Sequence, residues 1–386
     1  MKAYAIILAA GAATRMGQCK ALLPFENRSA LHVLSSSFIS AGVTPIVVTG
    51  NFRREVEAEC AKLGLQSVHN EHADQGMFSS IQTGCKALPA DASVFFVSPV
   101  DIPLIRSRTI ATLLNHKEKC DARILHPVIN DGMLQTLPEF LLKSEKKIGH
   151  PPCLQGSFKN KILSHSGEGG LAKLLEADAQ STEYVPVIDS AMLLDMDTPE
   201  DYSRLQALAS LQHIPSMHEC FALWNHVLLP EHIRRHCFKV ADVATKLVEA
   251  LESPPTREFK QKVIAGALLH DIAKGSPDHA QKGADLLKKQ GFESLSHIIA
   301  SHSRLAMQDG TITEAELVFL ADKFVQGTSL APYKKRYEEK MTHYATSPRV
   351  LAIIKERQAQ AESIHQKIEM QTGRVISETT LASWRI

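Results

Sequence analysis

The chain of 386 residues is longer than one typical hydrophobic core, so two domains are expected. A formal net charge of +1, with 44% apolar and 22% charged residues, excludes a globally basic nucleic-acid binder and a protein drawn to anionic membrane, and no apolar run approaches a membrane span. Seven cysteines, an odd number with no CxxC pair, oppose a disulfide framework or a cysteine zinc site; with no leader cleavage signal after Met1-Lys2, the expected compartment is the cytoplasm.

Ala3 to Leu8 is an apolar run of β type that empties into Ala9, Ala10, Gly11, Ala12 and Ala13, and then reaches Arg15, Gly17 and Lys20. This stretch reads as a phosphate cradle. Residues without bulk let backbone N–H groups approach an anion, and the two cations neutralise what the amides do not. Walker spacing fails, because Gln18 and Cys19 separate Gly17 from Lys20. Helical spacing over Ser29 to Ala41, a strand over Pro45 to Thr49, a helix over Phe52 to Leu63 and a strand over Gln66 to His69 predict a parallel sheet flanked by helices.

Within Asn70 to Gly84, Gly76 permits close approach. Ser79 and Ser80 stand where first-turn groups either face a ligand or cap the helix, and both readings stay open. The strand over Ser93 to Val97 leads to Asp101, fixed between Pro99 and Pro103 and suited to hold Mg²⁺ against a triphosphate. From Leu193 a second acidic stretch is expected to follow a strand, with Asp195 and Asp197. Thr198 is its N-cap, Pro199 the first helical residue and Asp201 the closure of a capping box.

Leu8 to Lys20 resembles the nucleotidyltransferase signature LAAG, three residues, RMG, two residues, K, at every fixed position. Within that superfamily it looks most like the molybdenum cofactor cytidylyltransferases and their guanylyl relatives. The resemblance implies a Rossmann-like α/β doubly wound, mostly parallel sheet over residues 1–212. It implies nucleotide contacts at Leu8, Ala9, Ala10, Gly11, Arg15, Lys20, Asn70, Gly76, Ser79 and Ser80. It puts Mg²⁺ on Asp101, in an Asp-x-Pro motif, and on Asp197 rather than Asp195, in Asp-x-Asp-Thr-Pro-Glu-Asp. The implied reaction transfers a nucleotidyl group from an NTP, CTP favoured, to a phosphate-bearing acceptor, molybdopterin foremost. Arg15, Lys20 and Asp101 carry the catalytic charge. The chain departs from the family where Asn130 to Ile148 precede Gly149-His150-Pro151, and where Cys153-Leu154 replace an aromatic. That region faces the acceptor in the family, as does the glycine loop and short helix that Gly167 to Leu175 resemble.

Ile214-Pro215-Ser216 breaks the chain, and strand patterns then vanish. Helical spacing recurs over Glu219–Leu229, Glu231–Leu251, Glu258–Ile272, Pro277–Lys289, Glu293–Ser303, Thr313–Val325 and from Tyr333 toward Met370, an all-α second domain over 216–386. Most of the 18 histidines lie in this half. Imidazoles and carboxylates from several helices converge on a divalent ion inside a bundle. The order His236, His270-Asp271, His279, His302, Asp322 resembles the HD-domain phosphohydrolases. It implies one divalent ion on His236, His270, Asp271 and Asp322, and a second added by His279 and His302, with His297 a rival to His302. Two such ions would clamp a phosphate. Lys274, four residues after His270, is expected on the same helical face as a catalytic cation.

The combined expectation is a bifunctional enzyme, with no nucleic-acid or membrane partner. The alternatives are a sugar-phosphate acceptor, a nucleotide-sensing HD half, or an insertion factor whose partner is a molybdenum enzyme.

Overall fold

Ala3–Ala9 forms β1, in which Ile6 and Ile7 are wholly buried, as expected of a strand without a polar face. The chain then alternates through α1 (Ala30–Ser40), β2 (Thr44–Thr49), α2 (Arg53–Leu63), β3 (Gln66–His69), α3 (Met77–Ala87), β4 (Val94–Pro99), α4 (Ser107–Lys117) and β5 (Ile124–Ile129). It continues with β6 (Lys147–Ile148), β7 (Cys153–Gln155), α5 (Phe158–Ser164), α6 (Gly170–Glu176), β8 (Thr182–Pro186) and α7 (Pro199–Ala209). The structure, a computed structural model, describes residues 1–12, 17–130, 147–302, 305 and 310–384. Arg15 and most of the Asn130 to Ile148 insertion therefore lie outside the described residues.

The sheet order is β8-β5-β7-β4-β1-β2-β3, with β6 beside β5. Pairs are parallel except that β7 runs antiparallel to β4 and β5, and β6 to β5. From β1 the chain moves outward to β3, then returns to β4 on the other side of β1. The order reverses there, which opens a crevice at the C-terminal ends of β1 and β4. Strand alternation sorts the core. Ile6, Val48, Phe95 and Val97 pack with Phe78 and Ile81 of α3, while Phe96 meets Phe38 of α1 at 5.7 Å between ring centroids. Gly84 lets α3 lie this close, since a Cβ there would stand 2.3 Å from Ile6 Cγ2.

The chain divides into two units between Ser210 and Leu211. The second comprises α8 (Met217–His226), α9 (Glu231–Glu249), α10 (Arg257–Leu269), α11 (His279–Lys289), α12 (Ser296–Ser301), α13 (Glu314–Lys323), α14 (Tyr333–His343), α15 (Pro348–Thr372) and α16 (Glu378–Ser383). Its core joins Val240, Val243 and Leu247 of α9, Leu268 and Leu269 of α10, and Val318 and Phe319 of α13, all fully buried. A buried ion pair, Lys367 Nζ to Glu316 at 2.8 Å, ties α15 to α13.

Several local expectations are corrected. Strand does not vanish entirely, because Val325–Gln326 and Ser329–Leu330 pair as a short antiparallel hairpin. The helix expected from Tyr333 toward Met370 is two helices, with Pro348 starting the second where a missing N–H costs nothing. The residues before Asp197 form a 3₁₀ turn, Ala191–Leu193, rather than a strand. The buried Asp189 carboxylate takes the Ala191 N–H at 3.2 Å and bends the chain there. Finally, α10 stops at Leu269, and bonds from Ile272 N to Leu269 O and from Lys274 N to Asp271 O turn the chain tightly. Lys274 therefore does not share a helical face with His270.

Candidate functional site

At the end of β1 the Leu8 carbonyl accepts from Val100 N at 3.1 Å, which seats Asp101 beside the loop. The Asp101 carbonyl in turn accepts from Met196 N at 3.0 Å, which brings in Asp197. Two carboxylates far apart in sequence are thus joined through backbone bonds. Asp189 secures the approach, accepting from Arg106 N at 2.8 Å and Thr109 Oγ1 at 2.7 Å. Thr198 caps α7 in a capping box with Asp201, immediately after Asp197.

Lys20 opens a 3₁₀ turn, Lys20–Leu22, whose Ala21 is buried. Its Nζ lies 3.0 Å from Asp101 Oδ2 and 2.6 Å from Asp197 Oδ1. Partial burial opposes the ammonium charge, but Asp197 and Asp101 outweigh it, and the Lys20 pKa is raised. Asp195 is exposed and outside this pair. The slight desolvation of its carboxylate, then the fields of Asp197 and Asp101, push its pKa up.

Leu8, Ala9, Ala10, Gly11, Lys20, Gly76, Ser80, Asp101 and Asp197 line one cavity of about 400 Å³. Asn51, which sequence reading missed, donates from Nδ2 and N to the Ala10 carbonyl at 3.0 and 3.4 Å. In a trans peptide this turns the Gly11 N–H the opposite way. Gly50 makes the approach possible, since a Cβ there would stand 2.6 Å from Ala10 O.

Asn70 and Ser79 do not line this cavity. Asn70 is buried behind it, donating to Ser79 Oγ and Ser80 Oγ, both at 2.9 Å, and Ser79 Oγ donates to the His72 and Gly76 carbonyls. These bonds brace the start of α3, whose N-cap is Gly76 with no side-chain cap, so neither Ser79 nor Ser80 acts as a helix cap.

A second cavity in this unit, about 630 Å³ and largely apolar, shares Leu8, Met77 and Pro99 with the first. Gly149, His150, His126, Tyr184 and the start of α6 line it, with His126 stacked on Tyr184 at 6.0 Å. Burial lowers the pKa of both histidines, in His150 against the fields of Asp101 and Asp195.

In the helical unit His236 comes from α9, His270 and Asp271 from the turn after α10, His279 from the start of α11, His302 from the end of α12 and Asp322 from α13. All six meet. Nδ1 of His236, His270 and His302 donates to the carbonyls of Gly327, Ala267 and Ile299 at 3.0, 2.8 and 2.6 Å. A carbonyl only accepts, so Nδ1 carries a proton in each of these rings, and each ring in its neutral form presents an Nε2 lone pair inward. There His236 Nε2 lies 3.2 Å from Asp322 Oδ1, and His270 Nε2 lies 3.6 Å from both carboxylates. His279 and His302 Nε2 lie 3.4 and 3.5 Å from Asp271 Oδ1 and 3.2 Å from each other.

Lone pairs facing carboxylates, and a buried His270 Nε2 with no hydrogen-bond partner, fit a cation between them. The spacing agrees, since ligands about 2.1 Å from a metal in tetrahedral geometry stand about 3.4 Å apart. Asp271 belongs to two groups, one with His236 and His270, the other with His279 and His302. Burial opposes the charge of Asp271, but His302, His270 and Lys274 hold its pKa well below the usual carboxylate range. Lys323, His236 and His270 do the same for Asp322.

Lys274 Nζ reaches Asp271 at 3.0 Å despite leaving the helix, and Lys323, unremarked in the sequence, reaches Asp322 at 2.7 Å. His297 is exposed and plays no part in this set.

Residues 5–183 match the family described as MobA-like NTP transferase domain, and residues 233–326 match the HD domain. A "Molybdenum cofactor guanylyltransferase" of Xanthomonas euvesicatoria pv. vesicatoria (strain 85-10) is 35% identical over 52% of this chain and 92% of its own length. A "Molybdenum cofactor cytidylyltransferase" of Escherichia coli (strain K12) is 26% identical over 51% of this chain and 92% of its own. Among solved structures, Rv0371c of Mycobacterium tuberculosis H37Rv is 22% identical over 54% of this chain and 98% of that one, with a TM-score of 0.45. The chain is an enzyme that belongs to the MobA-like NTP transferases and carries an HD domain behind its transferase domain.

Proposed function

We propose that the first unit transfers a nucleotidyl group from an NTP to the phosphate of molybdopterin, and that the second is a metal-dependent phosphohydrolase. The observation that supports transfer best is the Lys20 ammonium between Asp101 and Asp197 beside a loop of unbulky residues. An acceptor phosphate oxygen attacks the α-phosphorus, the bond to the bridging oxygen breaks, and pyrophosphate leaves with the electron pair. The Gly11 amide and Lys20, with Arg15, hold the triphosphate and neutralise the charge that builds on the leaving group. Magnesium on Asp101 and Asp197 supplies further charge neutralisation when bound. The apolar cavity beside this site, with the His126 and Tyr184 stack, suits a flat heteroaromatic acceptor.

CTP is the expectation from the sequence, and the higher identity to a guanylyltransferase sets GTP beside it. Incubating the full chain with each NTP, molybdopterin and Mg²⁺ tests the reading. Acceptor-dependent pyrophosphate release is expected, and its absence with every NTP contradicts the reading.

For the second unit, support comes from four inward-facing imidazoles around Asp271 and Asp322. With one or two divalent ions held there, the site supplies the charge that activates water against a phosphate. Lys274 stands at its rim as a cation for the same phosphate.

A further inference from the structure

The cavity over the imidazole set, about 340 Å³, has a wall that lies outside the HD-domain match ending at residue 326. Arg336 and Lys340 come to it from successive turns of α14, and Arg357 comes from α15. With Lys274 and Lys323 they set five cations against two carboxylates, Asp271 and Asp322, among the described residues lining the cavity. Both carboxylates already have lysine partners. Arg336 is held in place, its Nη1 donating to the Lys323 and Val325 carbonyls at 3.0 and 3.1 Å.

Among the described residues, neither Lys340 nor Arg357 makes an ion pair. Partial desolvation, then Arg336, Lys323 and Arg357, lower the pKa of Lys340, whose side chain still reaches solvent. Lys340 and Arg357 remain solvent-exposed at the cavity mouth, and cations gathered on one wall repel one another, a cost that a bound polyanion removes.

We propose that this wall holds a second phosphate, so that the helical site takes a diphosphate group, joined by a phosphoanhydride, in preference to a lone phosphomonoester. The proposal rests on the phosphohydrolase reading above. In the reaction a water oxygen joins the phosphorus at the imidazole and carboxylate end. The bond from that phosphorus to the bridging oxygen breaks, and the electron pair stays on the departing phosphate, facing Arg336, Lys340 and Arg357. One water proton goes to that phosphate or to solvent, and nothing is oxidised or reduced. Two sources offer this chemistry, inorganic pyrophosphate, which the proposed transfer releases, and the diphosphate of a nucleotide.

The test uses the full chain carrying Lys20→Ala, with and without Lys340→Gln plus Arg357→Gln. The background substitution removes the lysine of the nucleotide cavity, and the difference between the two proteins isolates the wall. In chelator-treated protein, calorimetry with methylenediphosphonate should show affinity at least about tenfold weaker in the double variant, and inorganic phosphate a smaller change. Lys355→Gln, an exposed cation of α15 away from the cavity, should leave methylenediphosphonate affinity unaltered. Equal affinity with and without the double substitution overturns the proposal.

With Mn²⁺ added, kcat/KM for pyrophosphate or ADP should exceed that for p-nitrophenyl phosphate, and the double variant should lower that ratio. The better of the two anhydrides identifies the source. A faster monoester reaction overturns the proposal. Hydrolysis of none of the three defeats the phosphohydrolase reading instead, while the calorimetry still judges the wall.

Discussion

In the first unit two carboxylates meet across a single ammonium, Lys20 Nζ at 3.0 Å from Asp101 and 2.6 Å from Asp197. In the second, two carboxylates meet four imidazoles, three of which are tied by Nδ1 to backbone carbonyls. A lysine stem has several rotatable bonds and exchanges partners readily, whereas a ring fixed through one nitrogen presents the other in a set direction. On the function proposed above, the first cavity would rearrange as a charged substrate enters, and the helical cavity would hold ions in a geometry already formed. The lesson is that similar acids serve different chemistry according to what faces them.

Loss of a charged group from the first cavity should have the greatest consequence. Lys20→Ala or Asp101→Ala should lower nucleotidyl transfer by at least about a hundredfold, while far-ultraviolet circular dichroism stays unchanged. Near-normal transfer by either variant would refute the assigned roles.

The helical cavity is tested through metal content. His270→Ala with Asp271→Ala should strip transition metal from protein purified without chelator, read by elemental analysis, while transfer continues. Protein that holds no transition metal before substitution, or loses none after it, opposes a preformed ion site.

A smaller effect concerns how Asp197 is held. Thr198→Ala removes the cap of α7 and should cost about 1 kcal/mol of stability in denaturant unfolding. It should also raise KM for the nucleotide, because the capping box begins at the residue after Asp197. Unchanged stability would mean that the cap is redundant.

The smallest effect is one of pH. Burial lowers the pKa of His126 and His150 below 6.5, so as pH falls the unfolded chain takes up protons first. Their contribution to stability is present above pH 6.5 and is lost as pH falls from there toward the folded pKa. His126→Asn should flatten the decline of unfolding temperature below pH 6.5, and an unaltered slope would remove His126 from the account.

The parts legible in the sequence were those written in contiguous residues. Ala3 to Leu8 announce a strand, and Thr198, Pro199 and Asp201 spell a cap, and both form as read. The ordered histidines also converge. Asn51 was not legible, because its work on the Ala10 carbonyl joins residues 41 apart and no local pattern marks it. Asp189 acts by burial against a distant helix. Arg336, Lys340 and Arg357 stand on charged helices that read as solvated faces until the fold turns them into one cavity. Asn70 and Ser79 show the reverse, a ligand motif whose side chains satisfy one another.

The most direct measurement is transfer of label from α-³²P-labelled NTPs to molybdopterin by the wild-type full chain with Mg²⁺, beside the Asp101→Ala variant. Labelled product is expected with one nucleotide, dependent on acceptor and metal and lost in the variant. Equal labelling by Asp101→Ala, or none with any nucleotide, would contradict the proposed transfer.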